Sequence, residues 1–366
     1  MYRHFSSGML IACGLLLAGC GGGAAPASSA PAQASTAPAE ASAKPASSAK
    51  PAASAAASAA PAASGPTKIT ASWSALIPAV LPVWVAYEAG MFKQNGLDVD
   101  LQYIESSKGI PAMVSGEVKV ADVGGSETMS AVVGGADLVM IGGDAPVWPF
   151  ILQVPASIKT AEDLRGKKVG VSNFGSSSDI ATRVALKHLK LDPDKDVSIL
   201  AVGSASNRIA AMESGAIQAG VSYPPESLRL EKEGFHTLED LAAEKLPGNT
   251  AATVVPRAFI NSSRPTVQKW EDSLVMAIAR EKKDKSFTVN VLKKYFKSDD
   301  TAAMETSYDY FVNEVIPALP YPTPEQLADA KEVLGAKNDA IKSFDVNKML
   351  DRSFVQSAAD RGLDKG

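Results

Sequence analysis

Cysteine and histidine are nearly absent from this sequence of 366 residues, which holds two cysteines and three histidines. Both cysteines, Cys13 and Cys20, lie within the first twenty residues. The remaining chain therefore has no means of forming a disulfide, a thiolate nucleophile or a cysteine-based metal site. Beyond His4, only His188 and His236 remain, and they are far apart in sequence. We expect neither a metal nor a cofactor.

An excess of positive charge is also lacking. The chain holds 36 basic and 40 acidic residues, for a net charge of −4. Without a basic surface a protein has little affinity for a phosphate backbone, so nucleic acid is not an expected partner. The G-x-S-x-G, H-E-x-x-H and P-loop patterns are missing as well. No motif therefore indicates an enzyme.

The first twenty residues are typical of an export signal. Arg3 and His4 precede an apolar run from Met9 to Ala18, which is shorter than the roughly 20 residues that span a bilayer. The run ends in Leu17-Ala18-Gly19-Cys20, which resembles the bacterial lipobox and implies cleavage before Cys20 and lipidation of its sulfur. The alternative is a plain secretory signal. We expect an extracytoplasmic protein that touches the membrane only through this lipid.

Residues 21–66 differ sharply in composition from the rest of the chain. Twenty-one of these 46 residues are alanine, and none is valine, isoleucine, leucine, methionine or aromatic. Such a segment has little to bury against the entropy of ordering, so we predict a disordered Ala/Pro/Ser tether. The folded body is expected to begin near Thr67.

The first half of this body alternates short apolar runs with stretches of helical spacing. The predicted strands are Lys68–Ser74, Leu97–Ile104, Val118–Val123, Leu138–Gly142, Lys167–Ser172, Val197–Val202 and Ile217–Ser222. Such alternation predicts an α/β fold with two mostly parallel sheets flanked by helices. From Arg264 onward only helical patterns occur, namely Val267–Lys283, Phe287–Phe296, Met304–Val315, Pro324–Leu334 and Asn347–Arg361.

Two similar β/α units, at about 68–143 and 166–250, indicate two lobes. The apolar segments Pro146–Val154 and Thr250–Ile260 are interpreted as two hinge crossings between them. Lobe 1 is then expected to comprise 67–150 together with 251–366, and lobe 2 to comprise 151–250.

A binding site is predicted beyond the carboxyl ends of the strands, where helix N-termini present free N–H groups. That rule selects four loops, whose candidate residues are Ser74, Gly125, Ser126, Glu127, Gly175, Ser176, Ser177, Ser178, Asp179, Tyr223, Pro225 and Glu226. Serines and acids at these places could instead only cap helices. Because three of the residues are acidic and the four loops contain no arginine or lysine, the ligand is expected to be neutral, zwitterionic or amine-bearing.

Three motifs resemble those of one protein family. They are AYEAGMFKQNGLDV at residues 86–99, DLRGKKVGV at 163–171 and MESGAIQAG at 212–220. The family comprises the nitrate/sulfonate/taurine and thiamine-pyrimidine-precursor binding proteins of ABC importers. The resemblance implies a two-lobed periplasmic-binding-protein fold (type II) that closes on its ligand, and we expect a monomer.

The resemblance also implies a function. A lipoprotein of this kind captures a small polar organic molecule, of the sulfonate, pyrimidine or another type, and delivers it to an ABC permease. Two alternatives remain open, an extracytoplasmic enzyme on the same scaffold and a lipoprotein that senses its ligand and signals to a receptor.

Overall fold

The computed structural model of the protein describes residues 65–366. The predicted export signal, the predicted lipidation site Cys20 and nearly all of the predicted tether lie outside this range. The strands within it are β1 (Thr67–Trp73), β2 (Leu97–Tyr103), β3 (Val120–Val123), β4 (Leu138–Gly142), β5 (Ile151–Pro155), β6 (Lys168–Val171), β7 (Ser198–Ala201), β8 (Ala219–Ser222), β9 (Phe235–Asp240) and β10 (Ala252–Pro256).

The helices of the same range cover both sheets. They are α1 (Leu81–Glu88), α2 (Met91–Gln94), α3 (Ser106–Val114), α4 (Gly125–Val133), α5 (Ser177–His188), α6 (Ala205–Glu213), α7 (Glu226–Lys232), α8 (Arg257–Lys283), α9 (Lys285–Phe296), α10 (Thr301–Tyr308), α11 (Ala328–Gly335), α12 (Asp339–Ser343) and α13 (Ser353–Asp360). Short 3₁₀ and π segments connect several of them, including a π-helix at Asp309–Val315 that continues α10. No helix in the described range has the length and apolar character needed to cross a bilayer.

The strands form two five-stranded sheets, in the orders β2-β1-β3-β10-β4 and β7-β6-β8-β5-β9. Each predicted strand is present, with its ends shifted by at most two residues. In each sheet four strands run in one direction, and one inner strand, β10 or β5, runs against both of its neighbours. The predicted α/β class with two mostly parallel sheets is therefore confirmed.

Three strands were not predicted from the pattern. β5 and β10 overlap the two apolar segments that were interpreted as crossings, and β9 has a mostly polar sequence at partly exposed positions. The first of these segments runs beside the residues that lead into the second, because Trp148 N–H donates to the Leu246 carbonyl (3.0 Å) and Gly248 N–H donates to the Pro146 carbonyl (3.0 Å). The chain thus leaves the first sheet and returns to it at one place.

Two of the late helices, α8 and α13, pack on the first sheet. Helix α8 lies against α1, α2, β4 and β10, and its Trp270 ring stacks on Phe92 with 4.4 Å between centroids. Stacked aromatic pairs add about 0.5–1.5 kcal/mol beyond their buried area. The sequence predicted this helix only from Val267, but it begins at Arg257 and departs from helical geometry at Ser263, just before Arg264-Pro265.

Candidate functional site

A cleft of about 1160 Å³ opens where strands of both sheets end. Its walls come from the segments that follow β1, β2 and β3 in the first sheet and β6, β7 and β8 in the second. Helices α4, α5, α6 and α7 all begin at this edge. Pockets that enclose small molecules measure about 300–1,000 Å³, so a small ligand fits with room for water.

Seven of the twelve predicted site residues line this cleft. They are Ser74, Glu127, Ser176, Ser177, Ser178, Tyr223 and Glu226. The structure therefore brings together residues from all four loops, which are up to about 150 positions apart in the chain.

The other five, Gly125, Ser126, Gly175, Asp179 and Pro225, are not among the lining residues. Asp179 is the clearest case, since its carboxylate accepts a hydrogen bond from Gly175 N–H (2.8 Å) and pairs with Arg183 Nε (2.9 Å). Gly125 N–H donates to the buried Asn249 side chain at 3.0 Å. At Gly125 and Asp179 these contacts are those of a helix start.

Glu127 connects the two walls. Its carboxylate accepts hydrogen bonds from the Ser177 hydroxyl (3.2 Å), the Ser177 N–H (3.4 Å) and the Ser126 hydroxyl (2.7 Å). A Cβ on Gly124 would lie 2.3 Å from Glu127 Oε2 and 2.5 Å from Ser177 Oγ. A carboxylate from α4 thus occupies the N-terminus of α5, where the helix dipole favours a negative charge.

Tyr223 makes a second connection across the cleft. Its hydroxyl donates to the Leu76 carbonyl at 3.1 Å, and its ring lies near those of Phe150 and Phe311. Burial raises the pKa of Tyr223 well above its ordinary value, with a further contribution from Glu226. The phenol therefore stays neutral and acts as a donor at physiological pH.

An aromatic surface covers the wall that belongs to the first sheet. Trp73 lies 4.6 Å from Tyr103, measured between ring centroids, and 5.2 Å from the buried Trp84, on which Tyr295 stacks. About half of the Tyr103 side chain is exposed. Flat apolar groups therefore have a surface on which to stack.

Arg208, on α6, is a lining residue that the sequence analysis did not select. Its Nε donates to the Val221 carbonyl (2.7 Å) and its Nη1 to the Ser172 hydroxyl (3.0 Å). Its stem crosses Gly170 and Gly220, which pair between β6 and β8, and a Cβ on Gly220 would lie 3.1 Å from it. Paired glycines in two buried strands were the available signal for a side chain crossing the sheet. The four selected loops contain no arginine or lysine, but Arg208, Lys294 and Lys297 also line the cleft.

The acids of the cleft differ in their surroundings. Glu88 pairs with Lys294 Nζ (2.6 Å) and accepts from the Tyr295 hydroxyl (3.2 Å). Burial raises the pKa of Glu226 to about 7, although Arg208 and Arg229 act in the opposite direction. The buried Oε2 of Glu226 has no hydrogen-bond partner among residues 65–366.

In the same range, no group of three or more His, Cys, Asp or Glu is arranged to hold a metal ion.

Known proteins share this architecture. Residues 77–272 match the family model described as NMT1/THI5 like. The YtlA protein of Bacillus subtilis (strain 168) is 22% identical over 307 residues, which cover 75% of this chain and 85% of YtlA.

Solved structures give the same result at the level of the fold. The periplasmic aliphatic sulphonate binding protein SsuA from Escherichia coli matches with a TM-score of 0.65 and 18% identity, over 79% of this chain and 93% of its own. The periplasmic nitrate-binding protein NrtA from Synechocystis PCC 6803 matches with a TM-score of 0.64 and 13% identity, over 81% of this chain and 89% of its own. The family match spans more than half of the sequence. The protein therefore belongs to the NMT1/THI5-like family, as its three motifs predicted.

Proposed function

We propose that this protein is the solute-binding component of an ABC importer, which captures a small polar organic molecule and delivers it to a membrane permease. The observation that carries the proposal is the cleft between the strand ends of both sheets, bridged by Glu127–Ser177 and Tyr223–Leu76. Relatives of the same fold are described as periplasmic binding proteins for aliphatic sulphonate and for nitrate. Their descriptions support a binding role for this chain.

The proposed mechanism is closure of two lobes around the ligand. Residues 67–150 with 251–366 form one lobe, 151–250 form the other, and the paired crossings act as the hinge. A ligand that contacts both walls stabilises the closed form by its difference in affinity for the two forms. The permease then distinguishes the closed protein from the open one.

The proposal includes the cellular location. A lipid on Cys20 holds the protein at the outer face of a membrane, and residues 21–66 allow the binding body to move away from that surface. A tether of this length and composition spans about 35–40 Å on average.

A thermal-shift screen tests the binding role. The protein is unfolded and refolded to remove carried-over ligand, and then mixed with small organic acids, amines, zwitterions and neutral polar compounds. A ligand at one hundred times its dissociation constant adds about 2.7 kcal/mol of stability, which raises the melting temperature by several degrees. The ligand must also be recovered unchanged after long incubation, because turnover would indicate an enzyme. Failure of every compound to stabilise the protein would contradict the proposal.

A further inference from the structure

A buried arginine and a half-buried glutamate face the cleft from the wall of the second sheet. Arg208 and Glu226 both line it, and each influences the pKa of the other, yet no ion pair joins them among the described residues. Each group therefore lacks a partner that a ligand is able to supply. This inference rests on the proposed binding function.

Arg208 is 1% exposed, and two of its donors are used by Val221 and Ser172. No carboxylate within residues 65–366 forms an ion pair with it. A buried charge without a counter-charge costs several kcal/mol, so an arginine fixed in this way at a cleft wall is suited to an acidic oxygen from outside the chain. Gly170 and Gly220 leave room for its stem, so the guanidinium is held in one place.

Glu226 has the complementary requirement. Its Oε2 is buried without a hydrogen-bond partner in the described range. A buried acceptor left unpaired costs about 1–3 kcal/mol, and more when it is charged. An amino group on the ligand would supply both the donor and the counter-charge.

The N-terminus of α5 does not offer a second position for the acidic group. Glu127 already accepts hydrogen bonds from the Ser177 N–H and hydroxyl. A ligand oxyanion at this place would meet a carboxylate of the same sign at close range. Of the cations that line the cleft within residues 65–366, Arg208 is therefore the buried one that is available to it.

We propose that the ligand is a zwitterion with a flat apolar body, whose oxyanion pairs with Arg208 and whose amino group pairs with Glu226. The body lies on the aromatic surface of Trp73 and Tyr103 on the opposite wall. Ligand charge is thus recognised by one wall of the cleft and ligand shape by the other.

The test uses matched compounds on the whole protein. Aromatic amino acids and the three aminomethylbenzoate isomers serve as zwitterions, each compared with the analogue that lacks the amino group and the analogue that lacks the acidic group. We expect at least one zwitterion to raise the melting temperature. Calorimetry should then show that each single-charge analogue binds at least about tenfold more weakly.

Variants assign the two ends. Glu226→Gln should remove the preference for the zwitterion over its analogue without the amino group, whereas Glu231→Gln, the same change on the exposed side of α7, should keep it. Arg208→Lys keeps the charge and should weaken the zwitterion and the analogue without the amino group equally. If Arg208→Lys does not fold, the proposal is still tested by comparing the affinities of the unchanged protein for the zwitterion and for its two single-charge analogues.

Each failure has a distinct meaning. A panel in which no zwitterion stabilises the protein overturns this inference, as does an unchanged preference in Glu226→Gln. If simple anions, simple amines or neutral compounds bind instead, the binding function is supported and the proposal of a zwitterionic ligand is wrong. If nothing binds in the broader screen either, both are wrong.

Discussion

Three buried acids share one face of the first sheet beneath α8. Asp122 and Thr253 pair between β3 and β10, Asp144 accepts from the Thr253 hydroxyl (3.3 Å), and Glu271 lies over Gly142. Burial raises the pKa of Asp144 to about 7 and holds the pKa values of Asp122 and Glu271 well above their ordinary range. The folded protein therefore binds more protons than the unfolded chain, so these acids reduce stability as pH rises from about 4 through 7.

Asp144→Asn tests whether ionisation of these acids lowers the stability of the protein as pH rises. The substitution removes a charge that is costly only when ionised, so the melting temperature should rise by a few degrees at pH 8 and change little at pH 5. Asp299→Asn, at an exposed position, is the matched control and should have no effect at either pH. A lower melting temperature of Asp144→Asn at pH 8 would contradict this account.

A glycine at the crossings permits close packing. A Cβ on Gly248 would lie 2.3–2.5 Å from three atoms of the buried Trp148 ring, whose Nε1 donates to Asp329 at 3.0 Å. Gly248→Ala should therefore lower the free energy of unfolding by about 1–3 kcal/mol, as measured by urea denaturation. Gly109→Ala is the control, because the nearest atom there is 3.6 Å away and alanine favours α3 by up to about 1 kcal/mol. If both changes alter the free energy of unfolding equally, the effect comes from the loss of backbone freedom at a glycine and not from packing against Trp148.

Single residues show how far the sequence determined the site. The strand-end rule selected Ser177, Tyr223 and Glu226 because a loop that follows a parallel strand lies at the carboxyl edge of the sheet, where the cleft opens. The rule did not distinguish Ser177, which lines the cleft, from Asp179, which does not. The two residues are only two positions apart on a helix, so their side chains point in different directions. Arg208 was not found because it reaches the cleft from the second turn of α6, through a groove formed by two other strands.

At the scale of elements, the contact between α4 and α5 is the feature most open to experiment. Glu127→Gln removes the charge that faces the N-terminus of α5 and weakens the hydrogen bonds from Ser177. Amide hydrogens in the first turn of α5 should therefore exchange several-fold faster, as measured by mass spectrometry.

The matched control for this change is Glu332→Gln, which breaks an exposed pair between Glu332 and Lys187 at the other end of α5. Exposed pairs contribute about 0.2–1 kcal/mol, so exchange in the first turn should stay as in the unchanged protein. Unaltered exchange in Glu127→Gln would mean that Glu127 does not hold this helix end.

The crossing strands mark the limit of prediction at this scale. A short, continuously apolar run such as Ile151–Val154 has the same pattern in a buried strand and in a packed connection. Its assignment depended on a partner strand far along the chain, since β5 pairs with β8 and β9. The strands with helices between them were predictable because alternation is a local signal.

At the scale of the whole molecule, the proposed lipid on Cys20 is open to a direct test. Cys20→Ala should abolish incorporation of labelled palmitate and release the protein from the membrane fraction, because a lipid is then no longer present to hold it. Cys13→Ala is the control and should leave both unchanged. If Cys13→Ala releases the protein from the membrane fraction and Cys20→Ala does not, the lipid is on Cys13 and the prediction is wrong.

The adjacency of the two crossings makes the second sheet a nested segment. Strands β5 to β9 are contiguous in the chain, and the residues that enter and leave this segment bond to each other at Trp148–Leu246 and Gly248–Pro146. A recombination event or a designed graft therefore needs only two junctions, a few ångströms apart, to exchange the whole wall that carries Arg208 and Glu226. Under the proposed zwitterion site, chimaeras with relatives would keep the aromatic wall of this protein and acquire the charge preference of the donor.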